Sequence, residues 1–344
     1  MKTKYLLLGI CIFSLTSGSI HAKQSENTQV FRVAESAGSL DVRWNLAVRQ
    51  SQSIEGDFWI GYEFRSMNTN CSFHRISDEP SLSQLLNPSG SDEQGKRIGQ
   101  LFLLGNGKSH PYDAREIEIS AMNDGIDLKG NPLIWLGKAD AQSSFELCRK
   151  AFGKTESPNL REDLVGAIAM HPHSEESTAF FKEVIASDPS NEVREEAVFW
   201  IAFHDPTALN FLRDLARKDR SQEVRKKAVF AITQIRTPEA VDALIELTRS
   251  SDSEVAEQAV FWLGQIASEK AVKLLKDIVW DDTETDIQTK AVFALSQQGS
   301  VDELIEIANT HPNPEVRKKA IFWLGQSKDK KAVEAIIRII RENG

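Results

Sequence analysis

The chain has 344 residues, 41% of them hydrophobic and 26% charged, with a formal net charge of −9. That balance excludes a protein built to hold nucleic acid, which needs a basic face. After the first two dozen residues no stretch is long and apolar enough to cross a bilayer.

Residues 1–22 begin with Lys2 and Lys4, continue with an apolar run from Tyr5 to Leu15, and close on small residues up to Ala22. This pattern predicts a secretory signal peptide, with the mature chain periplasmic or secreted. Ile10 before Cys11 is too large for a lipoprotein cleavage site, which argues against lipidation. Loss of Lys2 and Lys4 would take the net charge to −11, a balance that favours solubility.

Residues 23–142 are predicted to form a small, mainly antiparallel α+β domain. Leu40–Arg49 reads as a helix. Asp57–Phe64 alternates as a strand does, with Phe58, Ile60, Tyr62 and Phe64 on one face. Gln100–Leu104, Arg115–Ser120 and Pro132–Leu136 read as further strands. Gly105–Lys108 and Asn123–Gly125 supply turn chemistry, and Pro80–Lys96 has a loop composition. Cys71 and Cys148 form an even pair in an oxidising compartment and are expected to bridge; two buried free thiols are the alternative. On the loop-entropy model such a bridge would stabilise by about 4–5 kcal/mol.

Residues 143–344 are predicted to form an α-solenoid, with a first helix over 143–153 as its cap. Five copies of one phrase carry the prediction: Glu192–Ile201, Glu223–Ile232, Glu254–Leu263, Asp286–Leu295 and Glu315–Leu324. A weaker copy is Leu160–Ile168. Their first apolar residues (Leu160, Val193, Val224, Val255, Ile287, Val316) are 33, 31, 31, 32 and 29 residues apart. A period of this size marks stacked supersecondary units. At about 100° per residue, Val316, Ala320, Trp323 and Leu324 share a stripe, so each phrase is an amphipathic helix. A second apolar helix follows each break, as in Ala240–Leu247, Ala271–Ile278 and Ala332–Ile340. Six helical hairpins result, none able to bury its apolar face alone.

Two patterns run down the stack. Ala167, Trp200, Ala231, Trp262, Ala294 and Trp323 alternate small and large on the buried stripe, which suits interdigitating neighbours better than a tryptophan-lined site. Phe199, Phe230, Phe261, Phe293 and Phe322 recur about 150° from that stripe, with Gln234, Gln265, Gln297 and Gln326 four residues further on. These residues either pack laterally between helices or form an exposed ladder that receives a partner. Ile336, Ile337, Ile339 and Ile340 crowd the last helix, buried or open to a partner.

Candidate chemistry is sparse. His171 and His204 occupy equivalent positions, but no third ligand or zinc spacing accompanies them, and both fit helix ends. No phosphate loop or nucleophile elbow is present. Arg194, Arg225, Arg317 and Arg161 recur after the first apolar residue, with Asp188 and Asp219 six residues before two of them. That spacing predicts an Arg–Asp ladder between loops, broken at Ala256 and Gln288.

The phrase Glu-Val-Arg-x-x-Ala-Val-Phe-x-Leu, at a step near 31, resembles the short HEAT repeat of phycobilin lyases over about Leu160–Asn343. The layout, with Trp59-Ile-Gly-Tyr62 and Leu133-Ile-Trp-Leu-Gly137 in the first domain, is similar to exported bacterial HEAT-repeat proteins. The resemblance implies scaffold work and carries over no catalytic residue. Deoxyhypusine hydroxylase shares the repeat class and binds iron through His-Glu pairs, which this sequence lacks. The expectation is therefore a non-catalytic scaffold of the cell envelope, without cofactor or metal, that binds a protein or peptide along the solenoid. The alternative is an enzyme or ligand-binding protein with its site in residues 23–142.

Overall fold

The computed structural model describes residues 29–65, 97–105, 112–122, 126–205, 207–266, 269–280 and 284–343; the side chains of residues 97, 121, 342 and 343 are left aside. The expected signal peptide (residues 1–22), Cys71, Pro80–Lys96, most of the expected Gly105–Lys108 turn and Asn123–Gly125 lie outside the described residues. The chain divides into two compact units, Met1–Phe181 and Lys182–Gly344.

The first unit is a five-stranded sheet with helices. Its strands are β1 (Val30–Arg32), β2 (Asp57–Arg65), β3 (Arg97–Gly105), β4 (Ala114–Ala121) and β5 (Leu133–Lys138), in the order β1-β5-β2-β3-β4. The expected antiparallel pairing holds for β2 with β3 and β3 with β4. β5 instead runs parallel to both β1 and β2, so the sheet is mixed. β2 is therefore central, and a central strand of a mixed sheet can be covered on both faces. Phe58, Ile60, Tyr62 and Phe64 are buried as expected, and so is Trp59 on the other face, within a cluster of Leu101, Leu103, Leu133 and Trp135. Helix α1 (Leu40–Gln50) places Trp44 edge-on to Phe102, with ring centroids 5.2 Å apart. Its Arg43 is buried and donates to the carbonyls of Gly38, Leu136 and Lys138, which ties the helix to the end of β5. Helices α2 (Ala141–Phe152) and α3 (Pro158–Ala169) follow, and α4 (Glu175–Ser187) spans the division between the units.

The second unit is a stack of helical hairpins. Its first helices are α5 (Asn191–His204), α7 (Gln222–Gln234), α9 (Ser253–Gly264), α11 (Thr285–Gln297) and α13 (Pro314–Gln326). Its second helices are α6 (Leu209–Lys218), α8 (Pro238–Leu247), α10 (Glu269–Trp280), α12 (Val301–Thr310) and α14 (Lys330–Asn343). Side-chain caps start many of them. The side chains of Ser190, Ser221, Asp252 and Asn313 accept from the exposed backbone N–H groups of α5, α7, α9 and α13, and Pro238 and Pro314 occupy first-turn positions that need no donor. From α7 onward each first helix packs on the first helix before it and on the second helix of the hairpin before. Val193, Val224, Val255, Ile287 and Val316 are all buried, as the periodicity requires.

The expected arginine–aspartate ladder holds at two steps, Arg194 and Arg225, each reaching forward to the next hairpin, while Arg317 donates to the carbonyls of His311 and Pro312. Arg194 and Asp219 form a buried ion pair, and the Arg194 Nε donates to Ile185 O at 2.6 Å. Arg225 Nε donates to Asp252 Oδ2 at 2.7 Å. Where the pattern lapses, Gln288 donates Nε2 to Val279 O at 3.1 Å, nine residues back as in Arg194 to Ile185, so the amide keeps the backbone contact and drops the ion pair.

Close approach of first helices depends on one glycine. A Cβ at Gly264 would meet Ala294 Cβ at 2.6 Å and its Cα at 2.8 Å, whereas Gly325 has only Ile336 Cδ1, at 3.9 Å. Gly264→Ala is expected to destabilise by about 1–3 kcal/mol through overpacking. Gly325→Ala should be neutral or gain up to about 1 kcal/mol from helix propensity. Urea midpoints of the two variants check this; equal midpoints would show that the stack yields easily at Gly264.

Candidate functional site

The ladder residues lie on one line down the second unit, and the structure brings their rings together. Phe199 stacks on Phe230 with centroids 6.0 Å apart and planes 4° apart, and Phe261 stacks on Phe293 at 6.2 Å and 16°. Tryptophan joins these pairs. Phe230 meets Trp262 at 4.8 Å, Trp262 meets Phe261 at 5.0 Å, Phe293 meets Trp323 at 4.9 Å, and Trp323 meets Phe322 at 5.0 Å. The result is one aromatic chain over four first-helix interfaces.

Exposure separates its members. Phe199, Phe230, Phe261 and Phe293 are half-buried by their neighbours, so lateral packing accounts for much of their surface. Phe322 is 52% exposed. Of the expected buried tryptophans only Trp200 is fully enclosed; Trp262 and Trp323 are half-buried and belong to the ladder. The indole N–H of Trp200 donates to Glu196 Oε1 at 2.6 Å. One turn before Trp262 and Trp323 stand Gln258 and Lys319 instead, and those two indole nitrogens have no partner.

Polar side chains flank the rings. Gln265, Gln297 and Gln326 are exposed, while Gln234 is half-buried and donates to Thr233 Oγ1 at 2.8 Å. One residue beyond Gln297, Gln298 satisfies a helix end: it donates to the carbonyls of Leu263 and Ile266 at 2.9 and 3.0 Å. On the other side, Lys227 Nζ lies 5.3 Å from the Phe199 ring centre, and Lys319 Nζ lies 6.0 Å from Phe322 and 5.9 Å from Trp323. Burial pushes the Glu196 carboxyl above its ordinary range, against the pull of the Trp200 N–H and Lys227. Glu195 is raised the same way, by burial first. The arrangement offers flat apolar rungs, free amides and both signs of charge at the spacing of the hairpins. The doubled participation of Trp262 and Trp323 was readable only as an alternation, because which neighbour a ring leans on depends on the stack.

The first unit holds a different constellation. Tyr62 Oη donates to Gln100 Oε1 at 2.7 Å, and the Cys148 Sγ donates to the same oxygen at 3.3 Å. Gln100 Nε2 donates to Ala167 O at 3.3 Å. Ser144 Oγ lies 2.7 Å from His171 Nε2, and His171 Nδ1 lies 3.0 Å from Ile168 O. With a proton on Nδ1 the imidazole donates to Ile168 O, and Nε2 accepts from Ser144 Oγ. The five side chains are buried, and Phe64 stacks on the imidazole at 4.5 Å. A serine–histidine pair is a nucleophile's arrangement in an accessible cleft; here it joins β2 and β3 to α2 and α3. His171 is thus engaged in hydrogen bonds, and His204 is a buried helix-end residue of the second unit. Among the described residues no group of three or more His, Cys, Asp or Glu could hold a metal ion.

Cys148 stands here as a free, buried thiol and not as half of the expected bridge; Cys71 lies outside the described residues. Burial pushes this thiol up to about 12, with the Tyr62 hydrogen bond pulling the other way. The folded thiol therefore keeps its proton above the unfolded pKa of about 8.5. Its contribution to stability is fully present below that pH and is lost as pH rises toward 12. A thiol reagent at pH 8 should leave Cys148 unlabelled in the native chain and label it in urea, and the unfolding free energy should fall between pH 9 and 11. Rapid native labelling at Cys148, mapped by peptide mass, would contradict this.

The HEAT-repeat family profile matches residues 209–296, and the PBS lyase HEAT-like repeat matches 316–342. No curated protein matches the chain. Among solved structures, human deoxyhypusine hydroxylase in complex with glycerol is 20% identical at a TM-score of 0.30, over 58% of this chain and 80% of its own. The complex of CpcE and CpcF of phycocyanin lyase from Nostoc sp. PCC7120 is 19% identical at 0.33, over 48% and 71%. A designed armadillo repeat protein in complex with the peptide (KR)4 is 21% identical at 0.29, over 57% and 93%. These likenesses show the fold alone. The expectation of a chain that is not an enzyme does not stand: two of these similar structures are a hydroxylase and a lyase, so a stack of such repeats is no ground for excluding catalysis.

Proposed function

We propose that this HEAT-repeat protein binds an extended polypeptide along its first helices, with the aromatic chain from Phe199 to Phe322 as the apolar floor and Gln265, Gln297 and Gln326 as hydrogen-bonding rungs. The observation that carries the reading is the pairing of exposed amides with half-exposed rings at the repeat step. Where burial alone was the purpose, leucine or alanine would pack as well without leaving π-faces and amides in water. A peptide in the extended state alternates side chains with backbone amides, the two chemistries this line presents. Its partner lies in the cell envelope if residues 1–22 are removed on export; the exported form should then begin near Lys23, which N-terminal sequencing reads.

Selection from a displayed library of random extended peptides tests the binding. The full mature chain should enrich a family of sequences, and the variant with Gln265, Gln297 and Gln326 all changed to alanine should lose about tenfold or more in affinity for them. All three sites are exposed, so the fold should survive. Enriched peptides that bind the triple variant equally well would refute the assignment.

A further inference from the structure

We propose that the outward strip of α14 seats a second copy of this chain, antiparallel across a two-fold axis near Ile337. Helix α14 carries two apolar stripes. Ala332 and Ala335 are buried, with Ile336 and Ile339 half-buried beside them. Val333, Ile337 and Ile340 form the second stripe, at spacings of four and three, and are 51%, 44% and 65% exposed. Three exposed aliphatic side chains on one turn-to-turn line form a contiguous apolar patch, the kind that marks an interaction surface.

Charge selects the occupant and its direction. At about 100° per residue, Glu334 and Arg341 lie on the same flank of this strip, one on each side of its middle. Both are exposed. In an antiparallel pair centred near Ile337, Val333 of each copy meets Ile340 of the other, and Ile337 meets its own counterpart. Glu334 of each copy then lies beside Arg341 of the other, giving two ion pairs. A parallel pair would carry this flank of the two copies to opposite sides of the contact, so Glu334 and Arg341 would not meet. The strip is thus self-complementary in the sense an isologous two-fold contact requires. One helix from each copy makes a small interface, so the dimer is expected to be reversible.

Sedimentation of the full mature chain over a concentration series tests the assignment. The wild type should pass from monomer to dimer, with a dissociation constant of about micromolar order. Ile337→Glu should weaken it by about tenfold or more. Glu334→Arg should weaken it too, and Glu334→Arg with Arg341→Glu should restore it. The altered side chains are exposed, and unchanged circular dichroism confirms the fold. A wild type that stays monomeric at every concentration, the strip then being left to another protein, overturns the proposal. So does a dimer unaffected by Ile337→Glu, or a charge swap that restores nothing.

Discussion

Arg194→Ala should cost the chain about 3–5 kcal/mol, the range for breaking a buried ion pair by removing one partner. The guanidinium is almost wholly enclosed, and so is the Asp219 carboxylate it holds, with side-chain exposures of 2% and 7%. Truncation leaves that carboxylate buried without its counter-charge, and also strips the Ile185 carbonyl and Asn191 of a donor. The effect should be local in kind but wide in reach, because a stack of repeats holds together through neighbour contacts. Arg225→Ala is the control. That arginine and its partner Asp252 are 20% and 26% exposed, so water replaces much of what is lost, and about 1 kcal/mol is expected. Gln288 suggests the repair: Arg194→Gln with Asp219→Asn keeps a donor near Ile185 and removes the orphan charge. Urea denaturation of the three variants reads the order. An Arg194→Ala midpoint no lower than that of Arg225→Ala would show that the pair is not a lock between loops.

Gln100→Ala is expected to be almost as severe, at about 3 kcal/mol or more, since each buried polar group left without a partner costs about 1–3 kcal/mol. One amide serves four groups: its oxygen lies within reach of the Tyr62, Cys148 and Ser144 donors, and its nitrogen donates to the Ala167 carbonyl. Ser144→Ala should cost less, because His171 keeps Ile168 and Tyr62 keeps Gln100. Hydrogen exchange at β2 and β3 should rise in Gln100→Ala before the second unit responds. If stability changes by under 1 kcal/mol, the network is incidental to the sheet–helix junction.

The repeat was legible because each hairpin solves the same burial problem, so Val193, Val224, Val255, Ile287 and Val316 return at the same place in the phrase. The arginine–aspartate ladder was legible for the same reason. The parallel strand β5 was not, since the continuous apolar run Leu133–Leu136 marks a strand covered on both faces but not the direction of its neighbour. Gln100 sits in an otherwise apolar run from Ile98 to Leu104, and nothing local signals that partners from distant segments converge on it. At the candidate site the rings and their line were readable, but not how far each is covered. Phe230 and Phe293 are shielded by Trp262 and Trp323, which lie one repeat on and one residue further along the phrase. Gln297 and Gln298 differ by one position and have opposite fates, because a turn of about 100° moves the amide from water to the end of α9.

Amide hydrogen exchange of the full chain, with and without a peptide it selects, tests the central claim most directly. Added protection is expected in the segments Phe261–Gln265, Phe293–Gln297 and Phe322–Gln326, recurring at the repeat step. Protection confined to residues 29–140, or to the second helices, would contradict it.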